Sequence, residues 1–151
     1  MGHQRFQVPV AVYGLLCIGE QILLMRREGS GYHDGKLSVP AGHLDGGEHV
    51  VTGLIRELHE EVGVLVDPAA CHLVTVLHRA PEAPGDDEYL DLFFSVGYWA
   101  GTPSIGEPDK CSELLWATLR ELPVDVIDYV ASGIHASTVG QPLVTFGWEN
   151  H

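Results

Sequence analysis

Residues 42–64 read GHLDGGEHVVTGLIRELHEEVGV, and the order of glycine, apolar and acidic positions in that stretch decides how the rest of the chain is read. From Gly47 to Val62, residues Val50, Val51, Leu54, Ile55, Leu58 and Val62 recur at three- and four-residue intervals, which lays an apolar stripe along an amphipathic helix. Gly63 stands where a left-handed C-cap belongs. Glu57, Glu60 and Glu61 occupy positions i, i+3 and i+4, so three carboxylates share one side, roughly opposite the Leu54 and Leu58 stripe. A solvated face tolerates their repulsion, but a hard divalent cation relieves it far better, and oxygen-only ligands suit magnesium or manganese rather than zinc. Upstream, Pro40, Ala41 and Gly42 read as a tight turn, where a glycine lets a backbone carbonyl approach the same ion. Glu48 and Arg56 lie two turns apart on neighbouring faces, so Arg56 is placed to pair with Glu48 and brace the loop to the helix.

Outward from this helix the pattern changes. Val8 to Ile18 and Gln21 to Arg26 form two Val/Leu/Ile-rich runs around Gly19 and Glu20, a hairpin by composition. Gly29 to Gly35 reads as a loop, and Leu37 to Val39 as a short strand stopped by Pro40. Leu73 to His78, Tyr89 to Trp99 and Leu114 to Ala117 read as strands, separated by loops at Arg79–Glu88 and Gly101–Lys110. Behind Pro123, Val124 to Ile134 carries Val126, Ile127, Val130 and Ile134 at helical spacing. No repeat or linker divides the chain, so residues 1–151 are expected to form a single α/β domain with a mixed sheet covered by helices.

Composition narrows the function. Eight Lys and Arg against 21 Asp and Glu leave a formal charge of -13, which repels DNA, RNA and anionic membranes over most of the surface. An anionic ligand therefore needs a bound cation to reverse the local field. Cys17, Cys71 and Cys111 show no C-x-x-C spacing, so neither a disulfide framework nor a zinc knuckle is expected, and free thiols fit a reducing cytoplasm. Met1 to Gln7 lacks a basic segment leading into a cleavable apolar run, and Val8 to Ile18 is too short to span a bilayer.

Gly42, five residues, Glu48, seven residues, Arg56-Glu57-Leu58, His59, Glu60-Glu61, Val62, Gly63-Val64 matches every fixed position of the Nudix hydrolase signature. Tyr32 to Leu37 and Glu107-Pro108-Asp109-Lys110-Cys111 with Leu115-Trp116 also look like segments of small bacterial members. The resemblance implies a Nudix-type α/β/α sandwich and hydrolysis of a nucleoside diphosphate linked to another moiety. It implies that Glu57, Glu60 and Glu61 bind metal, that Glu57 is also a candidate base, and that Arg56 and Glu48 support them. A further loop acid acts in some members; Glu107 is the candidate here, with Asp109, Glu88 and Asp91 as rivals.

Arg26, Arg27 and Lys110 lie where phosphates are expected, and Arg26 and Lys110 are taken as the substrate-binding pair. Tyr32, His78, Tyr89, Phe94 and Trp99 are read as core aromatics in preference to base-stacking ones, and His43, His59 and His72 as surface residues. The expected activity is magnesium- or manganese-dependent hydrolysis of a small-molecule nucleotide, with nucleoside triphosphates leading by elimination. A homodimer is compatible with this reading. The alternatives are an ADP-ribose or nucleotide-sugar pyrophosphatase, a nucleotide sensor on the same fold, and a structural domain with an acidic helix. The intact glutamates favour an enzyme over a sensor.

Overall fold

In the computed structural model, which describes residues 4–149, β1 (Val10–Ile18) is the strand on which two parts of an eight-stranded mixed sheet meet. One edge pairs in parallel with β6 (Tyr89–Val96), from Val10↔Leu90 to Leu16↔Val96. The other edge is shared. Its first half takes β4 (Ala41–His43) antiparallel, and its last residues turn into β2 (Gln21–Arg27). Beyond β6 lie β5 (Cys71–Arg79), antiparallel, and β8 (Leu143–Phe146), parallel to β5. Beyond β2 lie β3 (Leu37–Ser38) and β7 (Cys111–Thr118).

Two helices cover opposite faces, completing the expected α/β/α arrangement. The period of two in β1 divides the core: Val12 and Leu16 join the cluster under α1 (Val50–Val62), while Ala11, Tyr13 and Leu15 join the one under α2 (Asp128–Thr138). Leu54, Leu58 and Val62 are fully buried on the α1 side, each contributing roughly 1.5–3 kcal/mol of hydrophobic stabilisation. Close approach of the helices depends on missing side chains. A Cβ on Gly14 would stand 2.8 Å from Leu58 Cδ2, and one on Gly133 would overlap the ring of Phe93.

Several local readings are corrected by long-range pairing. Ala41–His43 is a strand rather than a tight turn, because Ala41, Gly42 and His43 register against Tyr13, Val12 and Ala11. The second helix starts at Asp128 instead of Val124. Leu37 N–H donates to Asp125 O and Ile127 N–H to Leu37 O, drawing 125–127 alongside β3 before the helix begins. The helix then continues to Thr138, beyond the expected Ile134. β8 was not anticipated; it is four residues long and is held at the sheet edge by pairing with β5. Cys17, Cys71 and Cys111 are free. Among the described residues no helix is long and apolar enough to cross a membrane. Residues 1–3, part of the Met1–Gln7 reading, lie outside the described residues.

Candidate active site

The start and end of α1 are both defined by side-chain chemistry. His49 is extended (φ -68°, ψ 144°), and its Nδ1 accepts the Val51 N–H at 3.1 Å as an N-cap. At the other end Gly63, with φ 73°, adopts the left-handed conformation that only glycine enters without strain. The loop before β7 is strapped onto this terminus: Ser104 N–H donates to Val62 O and Gly106 N–H to Glu61 O. A Cβ on Gly106 would overlap Glu60 O, so the glycine admits the strap. This strap brings Glu107 to the acidic side of the helix.

Arg56 forms the pair expected from spacing. Its Nη2 donates to Glu48 Oε1 at 2.7 Å, and its Nε lies 3.4 Å from Oε2. Gly53 makes room, since a Cβ there would stand 2.8 Å from Glu48 Oε1. Hydrogen bonding to Arg56 holds the Glu48 carboxyl below its ordinary pKa. Arg56 also grips Glu57, with Nη1 2.8 Å from Oε1, so its support reaches the acidic cluster directly.

The glutamates do not simply face solvent opposite the apolar stripe. Glu57 and Glu61 lean under β4, and only Glu60 is substantially exposed, with 47% of its side chain accessible. Glu61 Oε1 accepts the Ala41 N–H at 2.8 Å, a bond that exists because β4 is extended. A Cβ on Gly42 would overlap the Glu57 carboxylate, so this glycine is needed for close approach. Burial pushes the Glu61 carboxyl up to about 8, with the neighbouring Glu57 and Glu107 charges acting in the same direction. Burial also raises Glu57, against the opposing effect of Arg56.

A cavity of about 820 Å³ is lined by Gly42, Glu57, Glu60, Glu61 and Glu107, together with the cations Arg27 and Lys110. Glu57 is engaged by Arg56 and Glu61 by Ala41, and among the described residues no three His, Cys, Asp or Glu side chains enclose a common point. The donor set nonetheless suits a hard cation: it is all carboxyl oxygen, and placed beside a glycine whose missing side chain leaves space.

Among the expected substrate-binding residues, Lys110 lines the cavity and Arg26 does not. Arg26 is held by Glu113 at 2.7 Å, Asp125 at 2.8 Å and Gly35 O at 3.0 Å. Alternation along β2 puts Met25 and Arg27 on the cavity side and Arg26 on the other. Arg27 is fixed by Tyr32 O at 2.7 Å and Ser30 Oγ at 3.1 Å. The rivals to Glu107 are placed elsewhere. Asp91 is fully buried against Arg79 and Tyr13, Glu88 pairs with His78, and Asp109 is not part of the cavity lining.

Tyr32 and Tyr89 line the cavity, correcting their reading as core, and His43, exposed as expected, also lines it and stacks on Tyr89 with centroids 5.4 Å apart. Phe94 is core, as expected. Arg79, Glu82 and Tyr129 were not singled out from the sequence, yet they line the same cavity. Arg79 sits at the boundary of a strand and a loop, and no local pattern marks it.

The Arg56 geometry has a measurable consequence. Arg56→Lys is expected to lower kcat roughly 10-fold or more while KM moves less, because an ammonium cannot hold Glu48 and Glu57 together. Steady-state kinetics check this, and a pure KM effect would instead put Arg56 on the substrate.

The NUDIX domain profile matches residues 6–134. Among solved structures, the chain is similar to a MutT NUDIX hydrolase from Burkholderia pseudomallei, at 24% identity and a TM-score of 0.78 over 87% of this chain and 98% of that one. A MutT protein from Methanosarcina mazei Go1 superposes with a TM-score of 0.73 at 18% identity, over 89% of this chain and 97% of that one. A NUDIX hydrolase from Nitrosomonas europaea gives 0.69 at 23% identity, over 91% and 93%. These structures share the fold, and the profile covers most of the chain including the helix that carries Glu57, Glu60 and Glu61. On that match, this chain belongs to the NUDIX family of hydrolases.

Proposed function

We propose that this chain is a magnesium- or manganese-dependent pyrophosphohydrolase acting on a nucleoside triphosphate or a related nucleoside diphosphate derivative. The observation that carries the reading is the cavity itself, where four carboxylates from α1 and from the strap before β7 meet two cations, the fixed Arg27 and the exposed Lys110. Glu57, Glu60 and Glu61 would hold the metal, with Gly42 leaving room beside them. When bound, a divalent cation neutralises phosphate charge and makes water a better nucleophile. Arg27 and Lys110 draw the phosphates to the carboxylate end against the chain's overall negative charge. Arg56 and Glu48 keep Glu57 in place. Glu107 takes the proton of the attacking water, as an acid delivered by a loop separate from the helix. Three free thiols suit a reducing cytoplasm.

The test is a turnover screen of the purified protein against nucleoside triphosphates, ADP-ribose and nucleotide sugars, with magnesium, manganese or a chelator, following phosphate and pyrophosphate release. Turnover with metal and none with chelator is expected; binding without turnover of any substrate would make the protein a sensor. In the same assay, Glu107→Gln is expected to lower kcat about 100-fold. Asp109→Asn and Glu88→Gln should keep wild-type turnover. Wild-type turnover in Glu107→Gln would return the role of base to Glu57 or to one of the rivals.

A further inference from the structure

The cavity has a second end, built around Arg79 at the close of β5. Its side chain is 6% exposed and donates to Asp91 through Nε at 2.8 Å and Nη2 at 3.3 Å. The guanidinium lies between the rings of Tyr89 and Tyr129, 4.3 and 3.9 Å from their centroids. Its Nη1 donates to the Tyr32 hydroxyl at 3.0 Å. That hydroxyl has a single proton and gives it to Glu82 Oε1 at 2.8 Å, so Tyr129 must be the donor in its 2.9 Å contact with Tyr32. His33 Nε2 reaches both Glu82 oxygens, at 3.1 and 3.2 Å.

The result is a rigid relay, Asp91–Arg79–Tyr32–Glu82, that ends in a carboxylate on the cavity wall with 40% of its side chain exposed. Burial works against the Glu82 charge, but the bonds from Tyr32 and His33 outweigh it and hold the carboxyl below its ordinary range. It is therefore an acceptor only. Arg79 is committed to Asp91, so this wall offers no free cation for phosphate. Lys110 follows the strap that carries Glu107, at the carboxylate end, and Arg27 stands between the two ends, bonded to Tyr32 O at 2.7 Å and 5.4 Å from the Tyr32 ring centroid. Between β4, beside the carboxylates, and β5, which carries Arg79, lie β1 and β6: three strand spacings, or roughly 14 Å from one backbone to the other. An extended nucleotide spans that reach from base to phosphates.

We propose that this end receives the nucleobase and that Glu82 is its specificity-determining acceptor, selecting bases that carry an exocyclic amino group over counterparts that lack it. The assignment rests on the nucleotide reading given above. An amino N–H donates to the carboxylate, whereas a keto oxygen would set lone pair against lone pair. Tyr32 supplies aromatic surface at the same end, whereas Tyr89 is already engaged by Arg79 and His43.

Equilibrium titration of the full chain with AMP, CMP, GMP, UMP and IMP tests the assignment without needing turnover. The tightest ligand is expected to be amino-bearing and to bind at least ~10-fold better than its counterpart, AMP or GMP against IMP or CMP against UMP. Glu82→Gln offers both a carbonyl and an amide N–H, and is expected to reduce that ratio below about 3-fold. Inorganic tripolyphosphate, which has no base, should bind the two proteins alike. Tightest binding of UMP or IMP, no binding of any of the five, or an unchanged ratio in Glu82→Gln would overturn the inference. Selectivity that follows Glu82 in a protein that hydrolyses no nucleotide would instead remove the hydrolytic reading and leave this one standing.

Discussion

Glu57→Gln and Glu61→Gln are each expected to lower kcat by at least ~100-fold at saturating magnesium, with the fold intact. The amide keeps the shape of the side chain and removes the charge that a divalent cation requires. Glu57 lies over Gly42 and Glu61 is tied to Ala41, so each carboxylate is held at its own place beside β4. Near wild-type turnover in either variant would sink the proposed role of the cluster. Stability in the absence of metal gives an independent check. The folded protein holds the Glu61 proton up to about pH 8, while the unfolded chain releases it near the ordinary value of 4.5. Between those values the unfolded state binds fewer protons, so this group makes stability fall as pH rises, by at most about 1.4 kcal/mol per pH unit. Urea titrations of metal-free protein across that window should show the fall, and Glu61→Gln should flatten it.

The second large effect is on stability. Arg79→Leu is expected to cost about 3–5 kcal/mol, because it leaves Asp91 charged and fully buried with only the Tyr13 hydroxyl, 3.0 Å away, to satisfy it. The midpoint of thermal unfolding should drop by roughly 10 °C or more. The double variant Arg79→Leu with Asp91→Leu should recover part of the loss, since no isolated charge remains. A single-variant loss below about 1 kcal/mol would show that the pair is hydrated and of little weight.

The residues differ in how far local sequence exposed them. The α1 stripe, the Gly63 cap and the Glu48–Arg56 pair were all legible, because a helix turns spacing into proximity within a few residues. The strands were legible as apolar runs, but their ends were set by partners distant in the chain, as when β8 completes β5 or residues 125–127 fall beside Leu37. Arg26 and Arg27 show the limit most clearly. Alternation assigns the two arginines to opposite faces, yet only the pairing of β2 with β3 and β7 decides which face borders the cavity.

The sequence by itself determined the acidic helix, its Gly63 cap, the family and the placing of three glutamates on one side, since each depends on residues within one short segment. Only the tertiary structure decided the rest of the site. It made β4 a strand whose backbone holds Glu61, strapped Glu107 to the end of α1, and joined Tyr13, Tyr32, Arg79, Glu82, Asp91 and Tyr129 into one network. Tyr13 and Tyr129 stand more than a hundred residues apart, and their common environment is created by strand order and by the packing of α2 on the sheet. Spacing along the chain carries no information about such contacts, because the hydrogen bonds and buried surface that enforce them exist only once the sheet has closed.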